Sequence, residues 1–127
     1  MPRAEADRLA LQAHVALDAM RLGHGSAAAA QTLCQVMILA GLLAEAGYGA
    51  ATFEQMRQAE GVICAAFDLG RDSGTWVLEK EGFEQFAVVV TTYDAQLRRA
   101  PIAAIADASE RLERFRDGDP FEYRKRA

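Results

Sequence analysis

The chain has 127 residues, a net charge of −4 and a composition that is 51% hydrophobic and 25% charged. A chain of this length forms a single domain that buries roughly two-thirds of its unfolded surface, and the composition excludes general disorder. The negative charge disfavours a surface dominated by phosphate binding, although a local basic patch is compatible with it. The chain contains only three prolines and is rich in alanine, and this composition favours helices.

The cysteine pattern and the N-terminal residues indicate a reducing compartment. Cys34 and Cys64 lie within apolar runs and show neither zinc-site spacing nor a disulfide framework. We expect free, buried thiols that behave as small hydrophobic side chains. The first residues, MPRAEADRLA, contain no apolar signal-peptide region, so we expect a cytoplasmic protein.

The first predicted helix spans residues 2–22. Pro2 suits its first position, where the missing N–H has no partner to lose. Gly23 follows the helix, as glycine commonly does at a helix end. The residues predicted to be buried recur at helical spacing: Leu9, Ala13, Val15, Ala16 and Met20.

The second predicted helix, 27–46, is apolar on more than one face and is therefore predicted to be the central helix. Its two apolar rows are Leu33, Val36, Met37, Ala40, Leu43 and Ala44, and Cys34, Ile38 and Leu42. The uncharged run from Gly25 to Ala44 is long enough to cross a bilayer. Its polar Gln31, Thr32 and Gln35 favour a helix buried among other helices, and we expect no membrane span.

A third helix is predicted from Thr52 to Leu69, with GRDSG at 70–74 as a loop. Thr52 and Gln55 have the spacing of a capping box. Trp76 lies in the extended segment 76–78 and is predicted to fold back as an apolar plug. The predicted buried residues of this helix are Met56, Ala59, Ile63, Ala66 and Phe67.

The fourth segment, 81–99, carries conflicting signals. The β-branched run 88–92 favours a strand, whereas apolar residues at helical spacing favour a helix, and we predict a helix. The apolar residues at helical spacing are Phe83, Phe86, Ala87, Val90 and Leu97. A fifth helix follows Pro101, with Ile102, Ile105, Leu112 and Phe115 on its inner face.

These elements predict an all-α fold, a single antiparallel bundle of about five helices. Short connections favour antiparallel neighbours. The bundle is predicted to occupy residues 1–116, and the charged segment 117–127 is predicted to be a mobile tail.

The stretch GHGSAA at 23–28 matches G-x-G-x-x-A, the dinucleotide-binding pattern. That pattern requires a strand before the glycines, and here a helix precedes them. The stretch also lacks the features of a P-loop and of a nucleophile elbow around Ser26. We expect Gly23 to end one helix and Ser26 to cap the next. The alternative is an anion at the helix start with His24 nearby.

Two polar pairs are further candidates. His14 and Asp18 are one turn apart, so the carboxylate can hold the imidazole as half of an acid–base or metal site, or both can form an exposed polar pair. No other ligand has diagnostic spacing, and we expect no metal, no cofactor and no enzyme. Gln31 and Gln35 are also one turn apart, and are predicted either to bond across helices or to face a partner subunit.

Nucleic-acid binding has weaker support. The helix–turn–helix pattern at 42–63 has too long a first helix, and Glu54 and Glu60 accompany Arg57 on the second. Acidic neighbours dilute the basic residues near the C-terminal end, so solvated helix faces are the preferred explanation. The candidate phosphate contacts are Arg98, Arg99, Arg111, Arg114, Arg124, Lys125 and Arg126.

Three segments carry a family resemblance: ALDAMRLGHGSAAAAQTL, GTWVLEKEGFEQF and YDAQLRRAP, in this order. Together they resemble short all-α bacterial proteins of integrated mobile elements, many of which are labelled Fis family transcriptional regulators. The resemblance extends to about Phe115. It implies an accessory protein of a mobile element, either a regulator or an inhibitor of a host system. It implies no reaction, cofactor or catalytic residue. Fis-type factors end in a basic helix-turn-helix, whereas this chain has an acidic turn and a short tail there.

Three functional hypotheses follow. The first is a non-enzymatic helical protein–protein interaction module, with a protein partner or a second copy as a homodimer, because the apolar content exceeds what one small bundle easily hides. The second is a DNA-binding regulator that uses the C-terminal arginines. The third is a small ligand-binding protein or enzyme that uses His14, Asp18 and His24.

Overall fold

Helices dominate the computed structural model, which describes residues 2–49 and 51–116. They are α1 (Arg3–Arg21), α2 (Ala27–Glu45), α3 (Phe53–Ser73), α4 (Lys80–Arg99) and α5 (Ile102–Arg116). No strand occurs among these described residues, and the predicted all-α helical bundle is confirmed. The predicted tail at 117–127 lies outside the described residues.

The first four helices form a bundle with α2 at its centre. α1 and α3 each pack against α2 and α4, while α2 also contacts α4 and α5. The α1–α4 contacts run in opposite directions along the two helices: Arg21 stacks over Phe83, and His14 meets Asp94. α1 and α4 are therefore antiparallel neighbours.

α1 packs against the bundle through four alanines together with Leu17 and Met20. Ala13, Ala16 and Met20 are buried as predicted, together with further alanines toward the N-terminus, and Leu9 is half-buried. Val15 was predicted to be buried, but its side chain is 59% exposed. Two residues along a helix correspond to about 200° of rotation, so Val15 points away from the side on which Ala13 packs. Leu11 and Val15 are thereby left on the outer side of α1.

α2 is the central helix that its two apolar rows predict. Every residue of the first row is buried, as are Ile38 and Leu42 of the second. Among the described residues, α2 alone is long and apolar enough to cross a membrane, and 56% of its apolar window is buried inside the bundle. This burial is compatible with the core helix of a soluble protein.

α3 continues past its predicted end at Leu69 and ends at Ser73. Gly74 follows in the left-handed conformation with a φ of 75°, and its N–H donates to the carbonyl of Gly70. The prediction was wrong because Gly70 does not break the helix. It is a buried helical residue whose missing side chain leaves room for the ring of Trp76.

The start of α3 and the connection to α4 agree with the sequence. Thr52 and Gln55 form the predicted capping box. The ring of Trp76 packs edge-on against Phe67 with the ring centroids 5.7 Å apart, which confirms the predicted plug. In the same connection the N–H of Leu78 donates to a carbonyl near the end of α1 at 3.0 Å.

The β-branched run 88–92 lies within α4, which confirms the predicted helix. Val89 and Val90 are buried, because helical spacing directs both toward the other helices. The hydroxyl of Thr92 donates to the carbonyl of Val88 at 2.9 Å, so its polar group is satisfied within the helix. Tertiary packing therefore overrides strand propensity in this segment.

The inner face of α5 differs from the prediction at its first residue. Leu112 is buried and Ile105 is half-buried, whereas Ile102 is 57% exposed. Ile102 lies about 60° around the helix from Ile105, which turns it away from α2. The side chain of Phe115 lies outside the part of the chain that the structure describes.

Both cysteines are free thiols, as predicted. Cys34 on α2 is half-buried, and burial raises the pKa of its thiol. Cys64 on α3 is exposed, so the prediction of burial is wrong there. It lies about 100° around the helix from the buried Ile63, which is enough rotation to bring it to the surface.

Candidate functional site

The outward side of α1 carries a row of exposed side chains that includes its largest exposed apolar residues. Leu11, Val15 and Leu22 are 63%, 59% and 58% exposed, and the exposed Asp18 lies between the last two. Steps of three and four residues keep these positions on one side of a helix. The same spacing continues toward the N-terminus. We call the complete set the outer row: Ala4, Arg8, Leu11, Val15, Asp18 and Leu22.

Other exposed large apolar side chains are spread over three other helices. Phe53 and Leu69 lie near opposite ends of α3, Val88 lies on α4, and Ile102 lies on α5. Scattered exposed apolar residues are normal on protein surfaces, whereas exposed apolar residues grouped on one side of a helix are a candidate interaction site. The outer row is therefore the candidate functional site. Sequence spacing does not reveal this row, because it predicts Val15 on the buried face.

Charged side chains of α1 flank the apolar middle of the outer row. Arg8 donates from Nε to Glu5 Oε2 at 3.0 Å, and the hydrogen bond from Arg8 lowers the pKa of the Glu5 carboxyl. At the other end, Arg21 Nε lies 3.7 Å from Asp18 Oδ1. The outer row therefore has a cation on one side of Leu11 and Val15 and an anion on the other, each in an exposed pair within its own helix.

The sequence predicts a pair between His14 and Asp18, but the two side chains have other partners. His14 Nε2 lies 3.1 Å from Oδ2 of Asp94 on α4, whereas Asp18 pairs with Arg21. His14 lies on the side of α1 that meets α4. A step of four residues adds about 40° of rotation, which carries Asp18 out to solvent. The predicted half-site is therefore replaced by a contact between two helices.

Asp94 is the centre of a charge network that joins α1 to α4. In addition to its contact with His14, it accepts a hydrogen bond from Arg98 Nε at 2.8 Å. Arg98 Nη1 also lies 2.8 Å from Asp7 Oδ1 on α1. Burial raises the pKa of Asp94, but the hydrogen bonds from His14 and Arg98 outweigh it, so this pKa lies below its ordinary value. The network stabilises the charged carboxylate and connects the two helices.

The GHGS stretch is a turn between two helices, as predicted. Gly23 has a φ of 80° directly after α1, and the hydroxyl of Ser26 accepts from the N–H of Ala29 at 3.1 Å at the start of α2. His24 is exposed, and its backbone N–H donates to the carbonyl of Ala19 at 3.0 Å. Within the described chain, no group of three His, Cys, Asp or Glu side chains is arranged to hold a metal ion.

Gly25 has a packing role that the sequence did not indicate. A Cβ at this position would lie 2.2 Å from the carbonyl oxygen of Trp76 and 2.5 Å from the sulfur of Met20. Only glycine lets the α1–α2 turn approach the α3–α4 connection this closely. The two motif-like segments, GHGS and GTWVL, therefore meet in the folded chain.

The amide that bonds across helices is Gln96, not the predicted pair on α2. Gln31 is exposed and Gln35 is half-buried, whereas Gln96 is fully buried. Its Nε2 donates to the carbonyl of Ala40 at 3.0 Å and to that of Tyr48 at 2.8 Å. The available sequence signal was its position, since Gln96 falls on the buried side of α4 at helical spacing.

The described arginines that were candidates for phosphate contacts are mostly paired with carboxylates. Arg111 Nη1 lies 3.1 Å from Glu45 Oε1 and joins α5 to α2. Arg114 pairs one turn away on its own helix at 3.4 Å, and Arg98 belongs to the network above, whereas Arg99 is exposed. The other three candidates lie outside the described residues: Arg124, Lys125 and Arg126.

A groove of about 540 Å³ lies between α3 and the start of α4. Small residues line part of it, including Gly61 on α3 and Gly82 on α4, and its charged lining residues are Glu79 and Glu81. It contains none of the residues that the sequence had marked as candidate sites. Its shape depends on glycines from two helices, a juxtaposition that sequence spacing does not reveal.

In comparisons with known proteins, no family model, no curated protein and no solved structure matches the chain.

Proposed function

We propose that this chain is a non-enzymatic helical interaction module that acts through a protein surface, the outer row of α1. The observation that carries the proposal is the alignment of Leu11 and Val15 on one side of α1 with Leu22, which directly follows the helix; each is more than half exposed. Each fully buried side chain of this kind contributes about 1.5–3 kcal/mol, so covering three of them supplies a substantial driving force for association.

The electrostatics of the described chain support a protein partner more than a phosphate backbone. Arg98, Arg111 and Arg114 already contact carboxylates, and the chain as a whole is acidic. Phosphate binding gains affinity from cations that displace counterions, and paired cations contribute less to that gain. The outer row carries one cation and one anion, a balance that suits a protein surface of mixed charge.

For the biological role we propose an accessory regulator or inhibitor of a bacterial mobile element, acting in the cytoplasm. The role rests on the resemblance of the segments around GHGS, GTWVL and YDAQL to proteins of such elements. The half-buried and exposed free thiols are compatible with a reducing compartment.

Site-specific photo-crosslinking in bacterial cells tests the proposal. A photoreactive amino acid at Val15 is expected to give a covalent protein adduct on illumination, because a bound partner covers this position. The matched control is the same amino acid at Arg57, an exposed position on α3. The proposal fails if Val15 yields no adduct, or if both positions yield the same adducts to the same extent.

A further inference from the structure

We propose that the outer row binds the outer row of a second copy of this chain, with the two α1 helices antiparallel. The inference rests on the proposed function, and it names the partner for the same surface.

The spacing of the outer row is that of a coiled-coil seam. Successive members are separated by four, three, four, three and four residues, the alternation that keeps a seam facing a partner helix. A twofold axis beside Ala13 places Leu11 of each copy opposite Val15 of the other. The two largest exposed apolar side chains of the helix proper then cover each other at the centre of the contact.

The same register pairs opposite charges. It places Arg8 of each copy opposite Asp18 of the other, so the charges on either side of the apolar centre are complementary. The small Ala4 then faces Leu22 of the other copy, which avoids a clash between two large side chains. A parallel arrangement would place Arg8 against Arg8 and Asp18 against Asp18, and like charges in contact are unfavourable. Charge therefore selects the antiparallel register.

The side chains that this contact requires are accessible in the single chain. The Arg8 and Asp18 side chains are 54% and 60% exposed. Their present partners, Glu5 and Arg21, lie one turn away on the same exposed helix, where ion pairs are weak. Exchanging these partners for a charge on a second helix therefore costs little free energy. Burial of the apolar side chains in the contact favours the exchange.

Charge reversal provides a sharp test, measured on the full chain by sedimentation equilibrium. We expect the unaltered chain to form a reversible dimer. Arg8→Asp and Asp18→Arg, each alone, are expected to raise the dissociation constant by about tenfold or more, because each places like charges opposite each other in two layers. Mixing the two variants is expected to restore dimers, since one then offers two carboxylates and the other two guanidinium groups.

Two controls keep the result specific. Asp68→Arg reverses one charge of an exposed ion pair on α3 and is expected to leave the dissociation constant unchanged. Circular dichroism confirms that each variant is folded. If Arg8→Asp or Asp18→Arg is unfolded, the single variants Arg8→Glu and Asp18→Lys take their place. The inference is overturned if the unaltered chain is monomeric, if either single reversal leaves the dimer intact, or if the mixture forms no heterodimer.

The two proposals fail in distinguishable ways. A monomeric chain that still gives an adduct with another protein from Val15 overturns the second-copy partner and leaves the interaction function standing. A chain without any adduct at Val15 contradicts both proposals. An adduct with twice the mass of the chain supports both.

Discussion

The ring of Trp76 occupies the space that a side chain at Gly70 would need: a Cβ there would lie 2.3 Å from Trp76 Cδ2. The carbonyl of Trp76 similarly leaves no room for a side chain at Gly25. Trp76 therefore holds three parts of the chain together, namely the α1–α2 turn, the end of α3 and the connection to α4.

Gly70→Ala is expected to destabilise the fold by about 1–3 kcal/mol, because the new methyl group collides with the Trp76 ring in a close-packed site. Chemical denaturation with urea measures the change in the free energy of unfolding. Gly61→Ala is the matched control on the same helix, since a Cβ there has no atom within 4 Å. It is expected to stabilise the helix by about 0.5–1 kcal/mol. Equal effects of the two substitutions would contradict this account of Gly70.

Gln96→Leu is expected to cost about 1–3 kcal/mol, because the amide donates to two carbonyls in the interior and the leucine leaves the carbonyl of Tyr48 without this donor. Gln31→Leu makes the same chemical change on an exposed face. It is expected to change stability by less than about 0.5 kcal/mol. Urea denaturation of both variants measures the contrast, and a Gln96 variant as stable as the Gln31 variant would argue against the interhelical role of this amide.

Asp94 makes stability depend on pH in the acid range. Its pKa is lower in the folded chain than its ordinary value of about 3.9, so the unfolded chain binds more protons there and stability rises with pH. The contribution is present above the ordinary pKa and is lost as the pH falls through the lower folded value.

Asp94→Asn is expected to cost about 1 kcal/mol near neutral pH, because it removes the charge that His14 and Arg98 contact. The cost should shrink as the pH falls below about 4, where residue 94 of the unfolded chain binds a proton, and it should vanish once the pH has fallen through the lower folded pKa. Urea midpoints at several pH values measure this difference. A cost that stays constant down to the acid transition would show that charge is not its cause.

Ser26→Ala is expected to destabilise the chain by about 1 kcal/mol, because it removes the acceptor for the N–H of Ala29 at the start of α2. Ser26→Asp restores an acceptor at the same position and is expected to recover most of that loss. Thermal unfolding followed by circular dichroism measures both variants. Equal losses for alanine and aspartate would remove the capping role from Ser26.

Sequence patterns predicted the helices well where local signals agreed with packing. The capping box at Thr52, the glycine after α1 and the apolar rows of α2 each contain the physical cause of the structure they predict. The β-branched run at 88–92 was resolved in favour of helix because the surrounding apolar spacing extends over several turns. Where Gly70 suggested a helix end, the sequence could not show that Trp76 would pack against it.

The candidate site was less predictable, because it depends on which side of each helix faces the bundle. His14 and Asp18 have a spacing that allows contact, but the neighbouring α4 supplies a carboxylate that spacing within α1 cannot reveal. Val15 was assigned to the core because it is apolar. The fold shows that Val15 lies with Leu11 in the outer row instead, because α1 packs through its alanines, Leu17 and Met20.

Disulfide trapping measures the antiparallel register of the outer row directly. In a chain with Cys34→Ser and Cys64→Ser, Leu11→Cys and Val15→Cys are introduced separately and the two proteins are mixed under mild oxidation. We expect rapid cross-linking between the two different proteins, because Leu11 of one copy lies opposite Val15 of the other, and slow cross-linking of either protein alone. Absence of a cross-link in the mixture, or equally fast cross-linking of Leu11→Cys by itself, would contradict the proposed contact.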